Sequence, residues 1–187
     1  MPFKYSAPGF LYTRSTMKHP PLLILVLGLP GSGKSYFSKH LAHELNAYYF
    51  SSDRTREEMK LMGHYDKESK QEVYDRLEER AREVLKKGKN VLIDATFHKK
   101  KRREQFTNLA RQCGARLKMI CITADESLIR ERLKKERKES EADFAVYQTL
   151  KKEFEPIESS HLSLHSRKNN LAEMLRRAKD YLLAEKA

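Results

Sequence analysis

The feature that most constrains the fold of this chain is the segment GLPGSGKS at residues 28–35. It fits the pattern G-x-x-x-x-G-K-[ST] of a phosphate-binding loop, which we call the P-loop. An apolar run at residues 22–27 precedes it and suits a buried parallel strand. Residues 36–45 follow it with apolar side chains at helical spacing. Because strand, glycine loop and helix are the context that this motif requires, the sequence predicts a phosphate site between a strand and a helix.

The residue types of the P-loop explain how it would hold phosphate. Glycine permits backbone conformations that bulkier residues resist, so successive amides can form an anion-binding nest. The helix that begins near Gly33 adds the partial positive charge of its N-terminus. We expect Lys34 to reach the β- and γ-phosphates of a nucleotide and the Ser35 hydroxyl to ligate Mg²⁺. The predicted nucleotide-binding residues are Gly28, Pro30, Gly31, Ser32, Gly33, Lys34 and Ser35.

The composition limits the class of protein and of ligand. A chain of 187 residues is expected to form one domain with a substantial core. Its formal net charge of +12 suits a polyanionic ligand, such as a nucleotide or a nucleic acid, although a charged, soluble surface would also account for it. The two cysteines, Cys113 and Cys121, form no C-x-x-C pair, which favours reduced thiols in a cytoplasmic protein. Since no apolar run approaches the ~20 residues of a membrane span, no membrane partner is expected.

The chain divides into a short N-terminal extension and one folded domain. Residues 1–20 contain three prolines and lack the apolar core of a signal peptide. We therefore predict a flexible extension over residues 1–20 and a single domain over residues 21–187.

Strand-like and helix-like segments alternate along the domain, which predicts an α/β fold with a parallel sheet covered on both faces. The predicted strands are residues 22–27, 47–52, 91–93, 117–123 and 161–165. The predicted helices are residues 36–45, 55–62, 68–87, 99–113, 127–138, 144–154 and 171–183.

Three polar segments follow the first three predicted strands. The P-loop follows the first strand, Ser52 and Asp53 follow the second, and Asp94 follows the third. In open parallel sheets, ligands bind beyond the carboxyl ends of the strands. We therefore expect these segments to converge on one edge of the sheet.

Asp53 and Arg56 are the predicted acceptor side of this edge. A carboxylate beside a transferred phosphoryl group can accept the proton of an attacking hydroxyl, which makes Asp53 a candidate general base. Arg56, one helical turn further on, is placed to hold an anionic part of the acceptor. The alternative for Asp53 is a structural role as the N-cap of the following helix.

Asp94 follows its apolar strand as the acidic residue of a Walker-B segment does. It is predicted to hold Mg²⁺ through water, to orient Ser35, or to contact the substrate. The alternative is a helix cap or a turn residue.

Two basic segments lie further along the chain. Residues 130–138 are rich in lysine and arginine and predict a mobile lid, with Arg132 the first candidate to stabilise the transferred group and Arg137 the second. A salt-bridged, solvated helix is the alternative, since glutamates are interspersed. The run KKKRR at residues 99–103, which we call the basic run, suits a phosphorylated or polynucleotide acceptor, or an exposed helix start.

These segments together resemble a known family. The P-loop, SSDRTR at residues 51–56, DATF at residues 94–97, Arg132-Leu133 and FEP at residues 154–156 are similar to the motifs of small P-loop kinases. The resemblance covers roughly residues 22–183 and is to the AAA_33 and zeta-toxin-like group, which is related to the kinase domain of polynucleotide kinase. It implies a three-layer P-loop NTPase fold: a five-stranded parallel sheet in the order 2-3-1-4-5, helices on both faces and a helical lid.

The resemblance also implies roles for particular residues. Asp53 corresponds to the general base, Arg56 to an arginine that contacts the acceptor, and Arg132 to the lid arginine. The chain departs from the family in having Glu136 where many relatives carry a second lid arginine. It also has one acid at Asp53 where polynucleotide kinases have two adjacent acids.

The leading functional hypothesis is an ATP-dependent kinase that moves the γ-phosphate of ATP to a hydroxyl acceptor. A polynucleotide 5′-hydroxyl is one candidate acceptor, and a small molecule, nucleoside or sugar nucleotide is the other. A nucleotide-switched ATPase binding module is an alternative from another class. The expected cofactors are ATP and Mg²⁺, nucleic acid is a candidate partner, and a monomer or weak oligomer is expected. The predicted catalytic residues are Lys34, Asp53 and Arg132, with Asp53, Arg56 and Asp94 on the substrate and Ser35 and Asp94 on the metal.

Overall fold

The computed structural model describes residues 19–64, 66–134 and 143–184. The predicted extension therefore lies outside the described residues except for its last two positions. The strands are β1 Leu22–Leu27, β2 Tyr48–Ser51, β3 Val91–Asp94, β4 Arg116–Ala124 and β5 Leu162–Ser166. The helices are α1 Lys34–Glu44, α2 Ser52–Glu58, α3 Lys67–Lys86, α4 Lys100–Cys113, α5 Glu126–Leu133, α6 Phe144–Glu153 and α7 Leu171–Leu183.

The five strands form one parallel sheet in the order β2-β3-β1-β4-β5. This confirms the order and the parallel pairing that the family resemblance implied. In the register, Val26 of β1 pairs with Asp94, and Ser51 of β2 pairs with Asp94 from the other side. Because all strands run the same way, their carboxyl ends share one edge, which we call the carboxyl rim.

Helices cover both faces of the sheet. The odd-numbered residues of β1 pack against α3 and α4, and the even-numbered residues pack against α1 and α7. Every residue of β1 is buried, as expected for a central parallel strand. Each fully buried aliphatic side chain contributes about 1.5–3 kcal/mol relative to exposure, so β1 holds the start of the P-loop firmly.

The helix ends follow from capping. α3 begins at Asp66, whose carboxylate accepts hydrogen bonds from the amides of Glu68 and Ser69, each 2.9 Å long. The side-chain bond from Ser69 contributes most to lowering the pKa of Asp66 to about 2. α4 ends at Gly114, which has a φ of +62° and serves as the predicted glycine cap.

α2 begins three residues earlier than predicted. The Ser51 hydroxyl accepts a 3.2 Å hydrogen bond from the amide of Arg54, so Ser51 is the N-cap. β2 consequently ends at Ser51 rather than running to residue 52. Asp53 lies inside the first turn of α2, and the alternative that Asp53 caps this helix is therefore wrong.

The predicted lid lies partly outside the described residues. The structure shows α5 ending at Leu133, whereas the sequence predicted a helix to residue 138. Residues 135–142, which include Arg137, lie outside the described residues. α6 starts after Asp143, whose carboxylate accepts a 2.8 Å hydrogen bond from the amide of Val146. Within residues 19–64, 66–134 and 143–184, the helices are too short or too polar to span a bilayer.

Candidate active site

The P-loop connects β1 to α1 through three glycines with positive φ. Gly28, Gly31 and Gly33 have φ angles of +151°, +80° and +93°. A Cβ atom at Gly28 would lie 2.4 Å from the carbonyl oxygen of Ile122, and one at Gly31 would lie 2.8 Å from Cγ2 of Ile129. Both the backbone conformation and the close neighbours therefore require glycine at these positions.

The N-terminus of α1 is open toward the P-loop. Its N-cap, Gly33, supplies no side-chain hydrogen bond to the first-turn amides. Lys34, the first helical residue, is 9% exposed, and the Ser32 hydroxyl is buried without a hydrogen-bond partner among the described residues. Free helical amides, a buried lysine and an unpartnered hydroxyl are the groups that an oxyanion would engage.

Asp94 lies at the end of β3 beside the P-loop lysine. Its Oδ2 atom accepts a 3.0 Å hydrogen bond from the Tyr49 hydroxyl, and Oδ1 is buried without a hydrogen-bond partner in the described part of the chain. Burial raises the pKa of the Asp94 carboxyl, while the charge of Lys34 and the hydroxyl of Ser35 lower it. The alternative role in a turn is wrong, because Asp94 is a buried strand residue paired on both sides.

Ser35 and Asp94 supply oxygen ligands of the kind that Mg²⁺ prefers. The unpartnered Oδ1 atom of Asp94 fits a bound water or a metal ion. No cluster of three or more metal-binding side chains occurs among the residues that the structure describes. An ion held here would therefore complete its coordination with phosphate oxygens and water.

Asp53 lies at the same rim, on the β2 side. Ser51 pairs with Asp94 at the ends of β2 and β3, and Asp53 follows Ser51 in the first turn of α2. Asp53 is half-buried, and its charge helps to raise the pKa values of Asp94 and Tyr74. The structure thus brings Lys34, Asp53 and Asp94 together, as predicted from their strand-end positions.

Arg56 has a more interior position than the predicted acceptor contact suggested. It is 7% exposed, and its guanidinium donates a hydrogen bond to the carbonyl oxygen of His64 in the segment between α2 and α3. This bond stabilises the turn that leads into α3. Its role toward an acceptor stays a prediction.

Arg132 of α5 contacts the P-loop directly. Its Nη1 atom donates to the carbonyl oxygens of Gly31 at 3.2 Å and Ser32 at 3.1 Å, and Nη2 donates to the Ser166 hydroxyl at 3.0 Å. Ile129 of the same helix packs against Gly31. α5 is thus held on the P-loop by both polar and apolar contacts. Arg132 lies beside the P-loop, where a lid arginine is expected.

A cavity of about 600 Å³ opens beside the P-loop and Arg132, and its far wall is the segment of residues 166–171 after β5. Asn170 fixes this segment, because its side-chain amide donates to the His165 carbonyl and its side-chain oxygen accepts from the Arg167 amide, each at 2.9 Å. This wall was not predicted from the sequence. Its position after the carboxyl end of a strand was the available signal.

The basic run is not a free cationic patch. Lys99 lies 3.6 Å from both Glu153 and Glu155, and Lys100 lies 2.7 Å from Glu158. These glutamates neutralise the first half of the run.

Arg103, in the second half of the run, is a structural residue. It is 5% exposed and donates to the carbonyl oxygens of Phe97 at 2.8 Å and Pro156 at 2.6 Å. It therefore joins the DATF segment to the FEP segment. The alternative that the whole run is an exposed helix start is therefore wrong for Arg103.

The fold and the P-loop define a P-loop NTPase domain in the arrangement of the P-loop kinases. The model of the AAA_33 family, described as an AAA domain, matches residues 23–157 of this chain. The chain belongs to the AAA_33 family, as the sequence motifs indicated. No curated protein matches the sequence of this chain.

Solved structures with the same fold superpose on this chain. A gluconokinase from Sinorhizobium meliloti 1021 gives a TM-score of 0.66 at 20% identity, covering 89% of this chain and 99% of that one. Kti12 from Chaetomium thermophilum, solved with ADP-AlF3, gives 0.68 at 19%, covering 87% and 100%. The APS kinase CysC of Mycobacterium tuberculosis, solved with AMPPNP and APS, gives 0.68 at 16%, covering 88% and 99%. At these identities the likeness shows the fold, and a specific relation to polynucleotide kinase stays a prediction.

Proposed function

We propose that the chain is an ATP-dependent kinase that transfers the γ-phosphate of ATP to the hydroxyl group of a small acceptor. The observation that carries this proposal is the convergence of Lys34, Asp53 and Asp94 on one rim beside an open helix N-terminus. A nucleotide-binding loop alone would need only Lys34. A second carboxylate across the rim adds a group that can receive a proton.

The donor nucleotide occupies the P-loop and the neighbouring cavity. The amides of the P-loop and Lys34 bind its phosphates, and the cavity beside Arg132 accommodates its base. Kti12 and the APS kinase were solved with ADP-AlF3 and AMPPNP, which supports a nucleotide in the equivalent place here.

The transfer step uses the groups of the rim. The acceptor oxygen forms a bond to the γ-phosphorus of ATP, the bond from that phosphorus to the β,γ-bridging oxygen breaks, and ADP leaves with the bonding electrons. Asp53 takes the proton of the acceptor hydroxyl. Lys34 and Arg132 stabilise the negative charge of the transferring group.

Ser35 and Asp94 are the residues that would hold Mg²⁺, directly or through water. When bound, the ion neutralises charge on the β- and γ-phosphates. The buried, unpartnered Oδ1 atom of Asp94 and the adjacent Ser35 hydroxyl support this assignment.

The structure favours a small acceptor over a polynucleotide. The basic run was the sequence feature that suggested a polynucleotide, and two of its lysines, Lys99 and Lys100, are paired with glutamates while Arg103 is buried. A gluconokinase and an APS kinase are among the proteins with this fold, and their names point to acceptors of small size.

A screen of γ-³²P transfer tests this function. The acceptors are polyols, sugars, nucleosides, their phosphate esters and a 5′-hydroxyl oligonucleotide, each incubated with the protein, Mg²⁺ and labelled ATP. We expect a labelled phosphate ester of at least one small acceptor, and no product with the Lys34→Ala variant. Release of inorganic phosphate alone with every acceptor would contradict a kinase and favour a nucleotide-switched module.

A further inference from the structure

One side of the carboxyl rim carries side chains that do not line the cavity beside the P-loop. They belong to the first turns of α3 and to the segment between β3 and α4, which we call the β3–α4 segment (residues 95–99). The two elements meet where the ring of Tyr74 lies 5.6 Å from the ring of Phe97. Burial raises the pKa of Tyr74, and the neighbouring Thr96 side chain and Phe97 backbone oppose this rise.

The β3–α4 segment is held in a strained conformation. Phe97 is fully buried and has a φ of +47°, a left-handed conformation that costs about 1–3 kcal/mol in a residue other than glycine. The contacts of Arg103 with the Phe97 carbonyl and of the Phe97 ring with Tyr74 and Phe106 offset this cost. Strain of this kind persists where the surroundings over-determine the backbone, and it is concentrated at binding and catalytic sites.

The strained segment fixes Thr96 and His98. The carbonyl oxygen of Thr96 accepts a 3.4 Å hydrogen bond from the amide of Gly28, so the segment adjoins the P-loop. The Thr96 hydroxyl lies 3.5 Å from Nδ1 of His98. Thr96 adjoins Tyr74, and Asp53 lies close enough to Tyr74 for its charge to help raise the pKa of that hydroxyl after the larger effect of burial.

Two cations, Lys70 and Arg102, lie beside this place, and Glu153 lies 3.8 Å from Nε2 of His98. Lys70 lies one turn before Tyr74 on α3 and is half-buried, with no ion-pair partner among the described residues. The guanidinium of Arg102 covers the Tyr74 ring at 4.7 Å and donates a 3.2 Å hydrogen bond to the neutral side chain of Gln105. Both cations lie close to these neighbours. Burial lowers the pKa of His98, and the charge of Lys70 adds to this effect. Burial raises the pKa of Tyr74, and the charge of Arg102 opposes this effect.

We propose that Lys70, Arg102 and His98 form a phosphate-binding site on the acceptor side of the rim, so that the acceptor is a small phosphorylated alcohol whose free hydroxyl faces Asp53. This inference rests on the proposed function for the identity of the acceptor. An arginine fork, an ammonium and an imidazole suit a phosphate group because each donates charge-assisted hydrogen bonds. Asp53 forms no ion pair or hydrogen bond with another described side chain, which leaves it available to the hydroxyl.

Direct binding of inorganic phosphate tests the site without catalysis. The full chain is saturated with AMPPNP and Mg²⁺, so that the P-loop is filled, and phosphate is titrated by calorimetry. We expect binding that Lys70→Met and Arg102→Gln each weaken about tenfold, which corresponds to one charge-assisted contact. Lys86→Met is the matched control, because Lys86 lies in the last turn of the same helix, at the opposite edge of the sheet. No phosphate binding, or equal binding by all variants, would overturn the site.

Matched acceptor pairs test the substrate class. Transfer to glycerol 3-phosphate and ribose 5-phosphate is compared with transfer to glycerol and ribose, and with transfer to a 5′-hydroxyl oligonucleotide. We expect a higher kcat/KM for a phosphorylated member, lost mainly through KM in Lys70→Met. Transfer only to uncharged acceptors or to the oligonucleotide would overturn the substrate class and leave the kinase activity intact. Phosphate binding that depends on Lys70, without transfer to any acceptor, would support the site and contradict only the proposed function.

Discussion

The hydroxyl of Tyr49 donates a 3.0 Å hydrogen bond to Oδ2 of Asp94, whose Oδ1 atom is buried without a hydrogen-bond partner among the described residues. Tyr49 belongs to β2 and Asp94 to the adjacent β3, where Tyr49 pairs with Leu92. A side chain of one strand therefore sets the orientation of the carboxylate at the end of the next. This leaves one oxygen of Asp94 for water or a metal ion.

Replacing Tyr49 by phenylalanine removes this bond and keeps the ring. We expect the Mg²⁺ concentration for half-maximal activity to rise about tenfold, because groups that orient a metal ligand typically contribute 10–100-fold to metal affinity or activity. The affinity for ATP without Mg²⁺ should stay within about twofold. Tyr48→Phe is the control, since Tyr48 is 52% exposed on the same strand. An unchanged Mg²⁺ requirement in Tyr49→Phe would show that the bond has no positioning role.

The P-loop glycines can be tested against a glycine of matched conformation. Gly31 has a φ of +80° and Gly63 a φ of +79°, but an added Cβ has close neighbours only at Gly31. Gly63→Ala should lower the free energy of unfolding by about 1 kcal/mol through backbone strain alone. Gly31→Ala should lower it by about 2–4 kcal/mol and weaken ATP binding, because Ile129 and the P-loop must also shift. Equal effects in urea unfolding would contradict the steric argument.

Replacing Arg132 should reduce catalysis more than replacing any other residue of α5. Arg132→Ala removes a charge beside the P-loop and its bonds to the Gly31 and Ser32 carbonyls. We expect kcat to fall about 100- to 1000-fold, as with the loss of other groups that stabilise a transition-state charge. Arg130→Ala, which removes an exposed guanidinium stacked on Phe144, should change kcat by about twofold or less. Equal losses of kcat in the two variants, measured by steady-state kinetics, would contradict this role.

His98 should make the stability of the fold depend on pH. Burial and the charges of Lys99 and Lys70 lower its pKa below 6.5, while Glu153 and Glu155 oppose this. The unfolded chain therefore takes up the proton more readily than the native state, and stability falls as the pH drops through 6.5. His98→Asn should remove this pH dependence. The melting temperature of the variant should therefore rise relative to that of the parent as the pH falls from 7 to about 5. A difference that stays constant with pH would contradict the lowered pKa.

Much of the fold was accessible from the sequence because its signals are local. The apolar run before the P-loop predicted β1 with its observed ends, and Gly114 marked the end of α4. The order of the strands came from the family resemblance, since periodicity does not specify which strands pair. The start of α2 was misplaced because Ser51 and Ser52 are both plausible strand residues and plausible caps, and the hydrogen bond of Ser51 decides between them.

The parts of the site that depend on long-range contacts were not predictable from the sequence. The bond between Tyr49 and Asp94 joins residues 45 positions apart. The burial of Arg103 depends on Pro156, 53 positions away. Its charge alone suggested a ligand-binding surface. Strand-end rules found Asp53 and Asp94, because those rules follow from the parallel sheet itself.

The most direct test of the account is a comparison of ATP binding and phosphoryl transfer in Asp53→Asn. We predict that the variant binds ATP with a Kd within about threefold of the parent and transfers phosphate to the acceptor at least about 100-fold more slowly, because it lacks the general base. Glu57→Gln, an exposed acid one turn further along α2, should retain both properties. Transfer at the parental rate by Asp53→Asn would contradict the assignment of Asp53 and, with it, the proposed mechanism.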